Sequence, residues 1–193
     1  MAKKQENYQE VYAKNREEFR AWLTKNHEQK EAIWLILYKR KSDQPTIKYN
    51  EAVEEAICFG WIDSKKMGID EERYKLVFSP REPKSLWSRS NKKRVERLLK
   101  QNQITVTGLK TIAIAKKNGT WTWLDDIEDL VVPTDLAQAL MKNRQARQYY
   151  EGFNDASKKA ILLWIKSAKR AGTRKNRIQK TVDAAAKNIK AVS

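Results

Sequence analysis

Apolar and polar positions recur along this chain in two rhythms, and the changes of rhythm mark its elements. From Tyr8, apolar residues at Val11, Phe19, Trp22 and Leu23, with Glu17 and Glu18 between them, predict one helical face ending near Asn26. Residues 1–7 are expected to fray. Ile33-Trp34-Leu35-Ile36-Leu37-Tyr38 is too short for an independent helix and rich in β-formers, so it predicts a strand buried on both faces. Lys39 to Pro45 is a polar loop. Asn50 suits the N-cap of a helix whose inner face is Ala52, Val53, Ala56 and Ile57, with Glu51, Glu54 and Glu55 elsewhere. Gly60 falls where a helix ends on a left-handed residue. Trp61 onward is extended, and Tyr74, Leu76 and Phe78 alternate after an Asp70-Glu71-Glu72 turn. The expected sheet is small and antiparallel, of about three strands.

Pro80 and Pro83 stop the last strand. Ser85 or Ser88 then opens a helix through Leu99, with Trp87, Asn91, Val95, Leu98 and Leu99 on one side. Thr107 to Lys117 repeats a helical pattern with Leu109, Ile112 and Ala113 inside and Gly119 as its stop. Trp121 and Trp123 follow, in an extended piece or a loop against the core. Pro133 precedes a short helix with Leu136, Ala139 and Leu140. Asn143 starts another, and Asn154 or Asp155 caps a third with Ala160, Ile161, Trp164, Ile165 and Ala168 inside. Gly172-Thr173 is read as the end of that helix and the cap of the last, whose stripe is Ile178, Val182, Ala185 and Ile189. The fold class is therefore α+β and mainly helical. The expected divisions are an α+β half over 1–104, a connecting helix and Trp-rich segment over 105–132, and a basic helical half over 133–193.

Composition agrees with a folded chain. Of 193 residues 40% are apolar, and only four Pro and six Gly interrupt them. Charge changes the picture more. The formal net charge is +16, and it is concentrated. Residues 81–100 carry 8 basic against 2 acidic side chains, and residues 142–193 carry 14 against 3. Such surfaces suit nucleic acid or another polyanion, although charge runs are also ordinary solvated faces. The candidate polyanion contacts are Arg89, Lys92, Lys93, Lys169, Arg170, Arg174, Lys175 and Arg177.

Several chemistries are disfavoured by residue supply. His27 is the one histidine and Cys58 the one cysteine, so a Ser-His-Asp or Cys-His centre would have to use them, and a His/Cys metal site lacks ligands. Cys58, at the negative end of a helix, is read as a small core residue. Neither a Walker motif nor G-x-G-x-x-G occurs. No catalytic residue, metal or cofactor is assigned. A polar N-terminus and a single cysteine lead to the expectation of a cytoplasmic protein without a secretory leader, and no apolar run has the length of a membrane span.

The richest stretch for binding is Arg81 to Asn91. A helix N-terminus there offers backbone donors beside Arg81 and Lys84, with Ser85, Ser88 and Asn91 as further donors and Trp87 for stacking on a ring. Two residues apart in a strand, Trp61 and Asp63 share a sheet face, and Arg81 or Lys84 is the natural partner for the carboxylate. A small anionic ligand held by Trp61, Asp63, Arg81, Lys84, Ser85, Trp87, Ser88 and Asn91 is one functional expectation.

The ordered set Tyr49-Asn50-Glu51-Ala52-Val53, Phe59-Gly60-Trp61-Ile62-Asp63, Phe78-Ser79-Pro80-Arg81, Pro83-Lys84-Ser85-Leu86-Trp87-Ser88 and Asn91 resembles the YdeI/OmpD-associated, or bacteriocin-protection, family. So do Ile165, Ala168-Lys169-Arg170, Thr173-Arg174 and Arg177-Ile178. Residues 102–104 depart from its pattern. The resemblance implies a link to porin association and to tolerance of bacteriocins or antimicrobial peptides, and it implies no reaction. The leading expectation is a non-enzymatic tolerance protein binding an anionic partner such as nucleic acid. The alternatives are an enzyme or sensor for a small anion, and a structural adaptor with a protein partner. A concave site at Trp61, Asp63 and Arg81 would favour the ligand; a flat basic face would favour the polyanion.

Overall fold

The computed structural model of the protein describes residues 8–192, and the frayed end expected for residues 1–7 lies outside them. The chain forms two compact units, divided between Thr122 and Trp123. Within the first unit are strands β1 (Gln9–Tyr12), β2 (Ile33–Tyr38), β3 (Trp61–Gly68) and β4 (Arg73–Pro80). Its helices are α1 (Arg16–Asn26), α2 (Tyr49–Cys58), α3 (Arg89–Lys100) and α4 (Val106–Asn118).

The fold is α+β and mainly helical, as the patterning predicts, but the sheet has four strands and is mixed. Its order is β1-β2-β4-β3. β4 pairs antiparallel with β2 and β3, and β1 pairs parallel with β2, Val11 opposite Leu35. The helix expected from Tyr8 therefore begins only at Arg16. Asn15 sets that start, its side-chain oxygen accepting from Glu18 N at 2.9 Å. β1 has one buried residue, Val11, so no alternation announces it; pairing with β2 makes it a strand.

The sheet's Ile33, Leu35, Leu37, Leu76 and Phe78 close over Phe19 and Leu23 of α1 and Ala52, Val53, Ala56 and Ile57 of α2. Asn50 is not the cap of α2. The helix starts at Tyr49, Glu51 accepts from Lys48 N at 3.0 Å, and Asn50 instead accepts from Arg94 at 2.8 Å. Ser88, not Ser85, caps α3, and Leu99 faces solvent. In α4 the buried positions are Gly108, Ile112 and Ala115; Leu109 and Ala113 are exposed. The face turned because Gly108 must meet the end of α2. A Cβ there would overlap the Cys58 carbonyl oxygen and stand 2.7 Å from Ile104 Cγ2. Gly60 (φ +77°) and Gly119 (φ +81°) end α2 and α4 in the left-handed region, as expected.

The second unit is helical: α5 (Asp125–Glu128), α6 (Thr134–Met141), α7 (Arg144–Gly152), α8 (Asp155–Lys166) and α9 (Ala171–Ala185). Asn143 and Asn154 cap α7 and α8 through their side-chain oxygens. Leu136, Leu140, Tyr150, Ile161, Ile165, Ile178 and Val182 belong to its own buried cluster. α8 ends at Lys166 and α9 begins at Ala171. Gly172 and Thr173 thus lie in the first turn of α9, and Ile189, beyond the helix, is exposed. No helix among the described residues is long and apolar enough to cross a membrane.

Candidate functional site

Arg81 leaves β4 at the point where the end of α2 can hold it. Its backbone N donates to Gly60 O at 2.9 Å, so the left-handed stop of α2 fixes the register of the loop. Ser85 closes that loop, its N donating to Glu82 O (2.9 Å) and its Oγ accepting from Glu82 N (3.1 Å). Asn118 and Thr120 donate to Pro83 O at 2.7 and 3.4 Å and tie the loop to the end of α4.

The Arg81 side chain folds inward and is only 9% exposed. Its guanidinium carbon lies 3.6 Å from the centre of the Trp87 ring, a stacked cation–π contact. Trp87 in turn packs on Trp121, with centroids 5.0 Å apart. Nη1 donates to Leu86 O at 3.3 Å. Nε and Nη2 are buried and have no hydrogen-bond partner among the described residues. Burial pulls the Arg81 pKa down to about 10, and the charge of Asp63 opposes that shift.

Two cavities border this side chain. One is a half-open depression of about 720 Å3 whose walls include Lys30, Ser64, Val77, Ser79, Arg81 and Ser85. The other, about 40 Å3, is lined by Arg81, Pro83, Trp87, Thr111, Ile114 and their neighbours. A concave surface at Arg81 therefore exists.

The other residues singled out from the sequence are distributed differently. Asp63 accepts from the Tyr49 hydroxyl at 2.9 Å, not from Arg81 or Lys84. Burial and that carboxylate push the Tyr49 pKa up to about 12. Trp61 is in the core and donates to His27 O at 3.0 Å. Trp87 offers its ring face to Arg81 rather than to a ligand. Lys84 is exposed and paired with Glu82 at 2.8 Å. Ser88 caps α3 and contacts Ser90 at 3.0 Å, and Asn91 accepts from Arg94 at 3.2 Å. Of the eight, Arg81 and Ser85 line the depression. Ser79, which joins them, stands in the Phe78-Ser79-Pro80-Arg81 motif; Lys30 and Ser64 carry no motif, and only the sheet and its loops bring the three together.

The histidine and the cysteine have structural surroundings. His27 follows α1, with Nδ1 3.0 Å from Leu23 O, Nε2 3.3 Å from Thr107 Oγ1, and its ring against Phe59. Cys58 is fully buried, and burial pushes its thiol up to about 11, far from the thiolate range. Among the described residues no group of three or more His, Cys, Asp or Glu side chains is placed to hold a metal ion.

The basic candidates divide between the units. Arg89, Lys92 and Lys93 are on α3 in the first; Lys169, Arg170, Arg174, Lys175 and Arg177 are in the second. Arg174 forks onto Asp135 at 2.6 and 2.9 Å, which holds that carboxyl below its usual range. Arg177 donates to Trp164 O and to Ser167 Oγ. Lys93, Lys169, Arg170 and Lys175 are exposed and form no ion pair among the described residues.

Residues 11–111 match the family described as Domain of unknown function (DUF8412). Residues 129–188 match the family described as Bacteriocin-protection, YdeI or OmpD-Associated. The second match carries the C-terminal part of the resemblance noted above; the motifs between Tyr49 and Asn91, read as the same family, fall within the first. No curated protein and no solved structure gives a significant match. The first match spans a little over half of the chain and the second lies within the helical unit, so the chain belongs to the DUF8412 family and carries a YdeI/OmpD-associated, bacteriocin-protection segment at its C-terminal side.

Proposed function

We propose that the first unit is a binding module for a small oxyanion, anchored by Arg81. One observation carries this reading: a buried guanidinium keeps two donors, Nε and Nη2, without partners among the described residues. Those two atoms lie on the same edge of the guanidinium plane. Two parallel N–H groups on one edge match the two oxygens of a carboxylate or of a phosphate group. Each buried donor left unpaired costs about 1–3 kcal/mol, and more when charged. An anion at this edge removes that penalty and restores the charge balance that burial has disturbed. Ser79, Ser85 and Lys30 supply further donors around the depression, whose walls also hold the carboxylates of Glu31 and Glu82, against which the anion has to be held. The stacking on Trp87 and the bond to Leu86 O hold the edge in place before any ligand arrives, which limits the ordering entropy of binding.

A thermal-shift series on the full chain with acetate, succinate, inorganic phosphate and nucleoside monophosphates tests the reading. A ligand at 100 times its Kd stabilises by about 2.7 kcal/mol, a rise of roughly 5–10 °C for a chain of this size. Arg81→Lys keeps the charge and loses the two-donor edge, so the rise should disappear. The proposal fails if no compound raises the wild-type midpoint, or if every rise is equally large in Arg81→Lys.

A second reading, binding of nucleic acid or another polyanion, is supported by the exposed Lys93, Lys169, Arg170 and Lys175 on a chain of net charge +16. It belongs to the surface and not to the Arg81 pocket, and a mobility shift with duplex DNA at low salt tests it. Neither reading rests on the words of the matched family's description, which name no ligand and no residue.

A further inference from the structure

α9 carries cations of two kinds. Arg174 and Arg177 turn inward: the first forks onto Asp135 of α6, and the second donates to Trp164 O and to Ser167 Oγ. They fasten α9 to α6 and to the end of α8. Lys175 and Lys180 are exposed, as are Lys169 and Arg170 just before the helix, and none of these four forms an ion pair among the described residues. The connection from α8 to α9 is short, residues 167–170, so the pair has the spacing of a helix-turn-helix.

At 3.6 residues per turn, Gly172, Asn176, Gln179 and Asp183 form one line along α9, opposite the buried Ile178, Thr181 and Ala185. Lys175 stands on one side of that line and Lys180 on the other. Gln179 donates to Asp183 at 2.8 Å, so the C-terminal end of the line is taken up by a carboxylate and its partner. The amide of Asn176 is exposed and bonds no described residue. Gly172 adds no side chain and has nothing within 4 Å of its Cβ position, so a partner can approach the N-terminal half of the line closely.

The make-up of this face selects among polyanions. A helix on a bilayer surface buries Leu, Phe or Trp, and a single-strand site stacks bases on aromatic rings; the exposed face of α9 has neither. A-form RNA keeps its base edges in a deep, narrow major groove that side chains do not read. The major groove of B-DNA is about 12 Å wide and admits a helix, and an asparagine amide pairs there with both N6 and N7 of adenine. From Gly172 to Gln179 the helix rises about 10 Å, the length of about three base pairs. The Asp183 carboxylate repels phosphate and keeps the C-terminal half of α9 out of the groove.

We infer that α9 lies in the major groove of duplex DNA, with Asn176 at the base edges and Lys175 and Lys180 on the phosphates of the two strands. This assignment depends on the polyanion reading above and adds to it the form of the nucleic acid, the groove and the reading residue.

The full chain is used to select, at low salt, from a pool of duplex DNA with a randomised core. The selected sequences should share a short motif containing adenine, and a duplex RNA of the same sequence should bind more weakly. Asn176→Ala should lower the preference for the motif about tenfold and leave affinity for unselected duplex within about twofold. Lys175→Gln and Lys180→Gln should weaken all sequences alike, each reducing the salt slope by about 0.9. All three residues face solvent, so the urea midpoints of the variants should not fall. Absence of binding to any nucleic acid overturns the polyanion reading and this inference together. Binding without an enriched motif, equal affinity for duplex RNA, or a motif preference unchanged in Asn176→Ala overturns this inference and leaves the polyanion reading standing.

Discussion

Gly108 shows how much can hang on one missing methyl group. It lies in the first turn of α4, against the end of α2. There the Cys58 carbonyl accepts from Thr105 N at 3.0 Å and from Thr105 Oγ1 at 2.7 Å. Alanine favours a helix by about 1 kcal/mol over glycine, which by itself predicts stabilisation. Here its Cβ would overlap the Cys58 carbonyl, and backbone cannot step aside as a side-chain tip can. Gly108→Ala should therefore destabilise by about 1–3 kcal/mol. Gly172→Ala, in the first turn of α9 with nothing within 4 Å of its Cβ, should not. Urea midpoints compare the two, and a Gly108→Ala protein as stable as the wild type would refute the close approach. Gly60 was legible from the sequence because a helix visibly stops there. Gly108 was not, since its constraint comes from residue 58, fifty positions away.

At the scale of elements, α1, α2 and α3 are joined by charge. Glu54 and Glu55 sit off the apolar stripe of α2, and patterning leaves them outside the core. Both are buried, Glu55 to 1% exposure. Glu55 accepts from Arg16 of α1 and, at 2.7 Å, from Arg20. Glu54 accepts from Arg16 at 3.1 Å and from Arg97 of α3. Arg20 goes on to Gln103 O at 3.0 Å. Removing one member of a fully buried pair costs about 3–5 kcal/mol. The side chains of Glu55's partners Arg16 and Arg20 are 28% and 37% exposed, so Glu55→Gln should cost less, about 2–4 kcal/mol. Glu71→Gln, which loses only the exposed pair with Lys41, should change stability by under about 1 kcal/mol. Equal unfolding midpoints for the two variants would remove the network from the stability of the unit. Most helices were legible from period and caps. β1, the buried face of α4 and the start of α9 were not, because each is decided by contact with another element.

At the scale of the whole chain the net charge of +16 makes a prediction of its own. If duplex DNA is bound, affinity falls with salt by a logarithmic slope of about 0.9 per neutralised phosphate. Replacing Lys169, Arg170 and Lys175 together by Gln should reduce that slope by up to about 2.7. Arg174 and Arg177 are unsuitable for this test, because they bond Asp135, Ile165, Trp164 and Ser167 inside the unit. Mobility shifts between 50 and 200 mM salt would show the slope, and no shift at the lower salt would end the polyanion reading.

Period, caps and turn residues act within a few positions, and they were enough to place this chain as α+β, mainly helical and strongly basic. They also found Arg81 and Ser85 as binding candidates beside a helix stop at Gly60. Solvent exposure, by contrast, is a property of the packed molecule. Only the tertiary structure put Trp61 and Trp87 in the core, gave Asp63 to Tyr49, paired β1 with β2, and left the side edge of Arg81 and the hydroxyl of Tyr150 buried without partners among the described residues. A local pattern states which groups a segment carries. Whether a donor finds an acceptor depends on chain brought from elsewhere, and the candidate site at Arg81 rests on that difference.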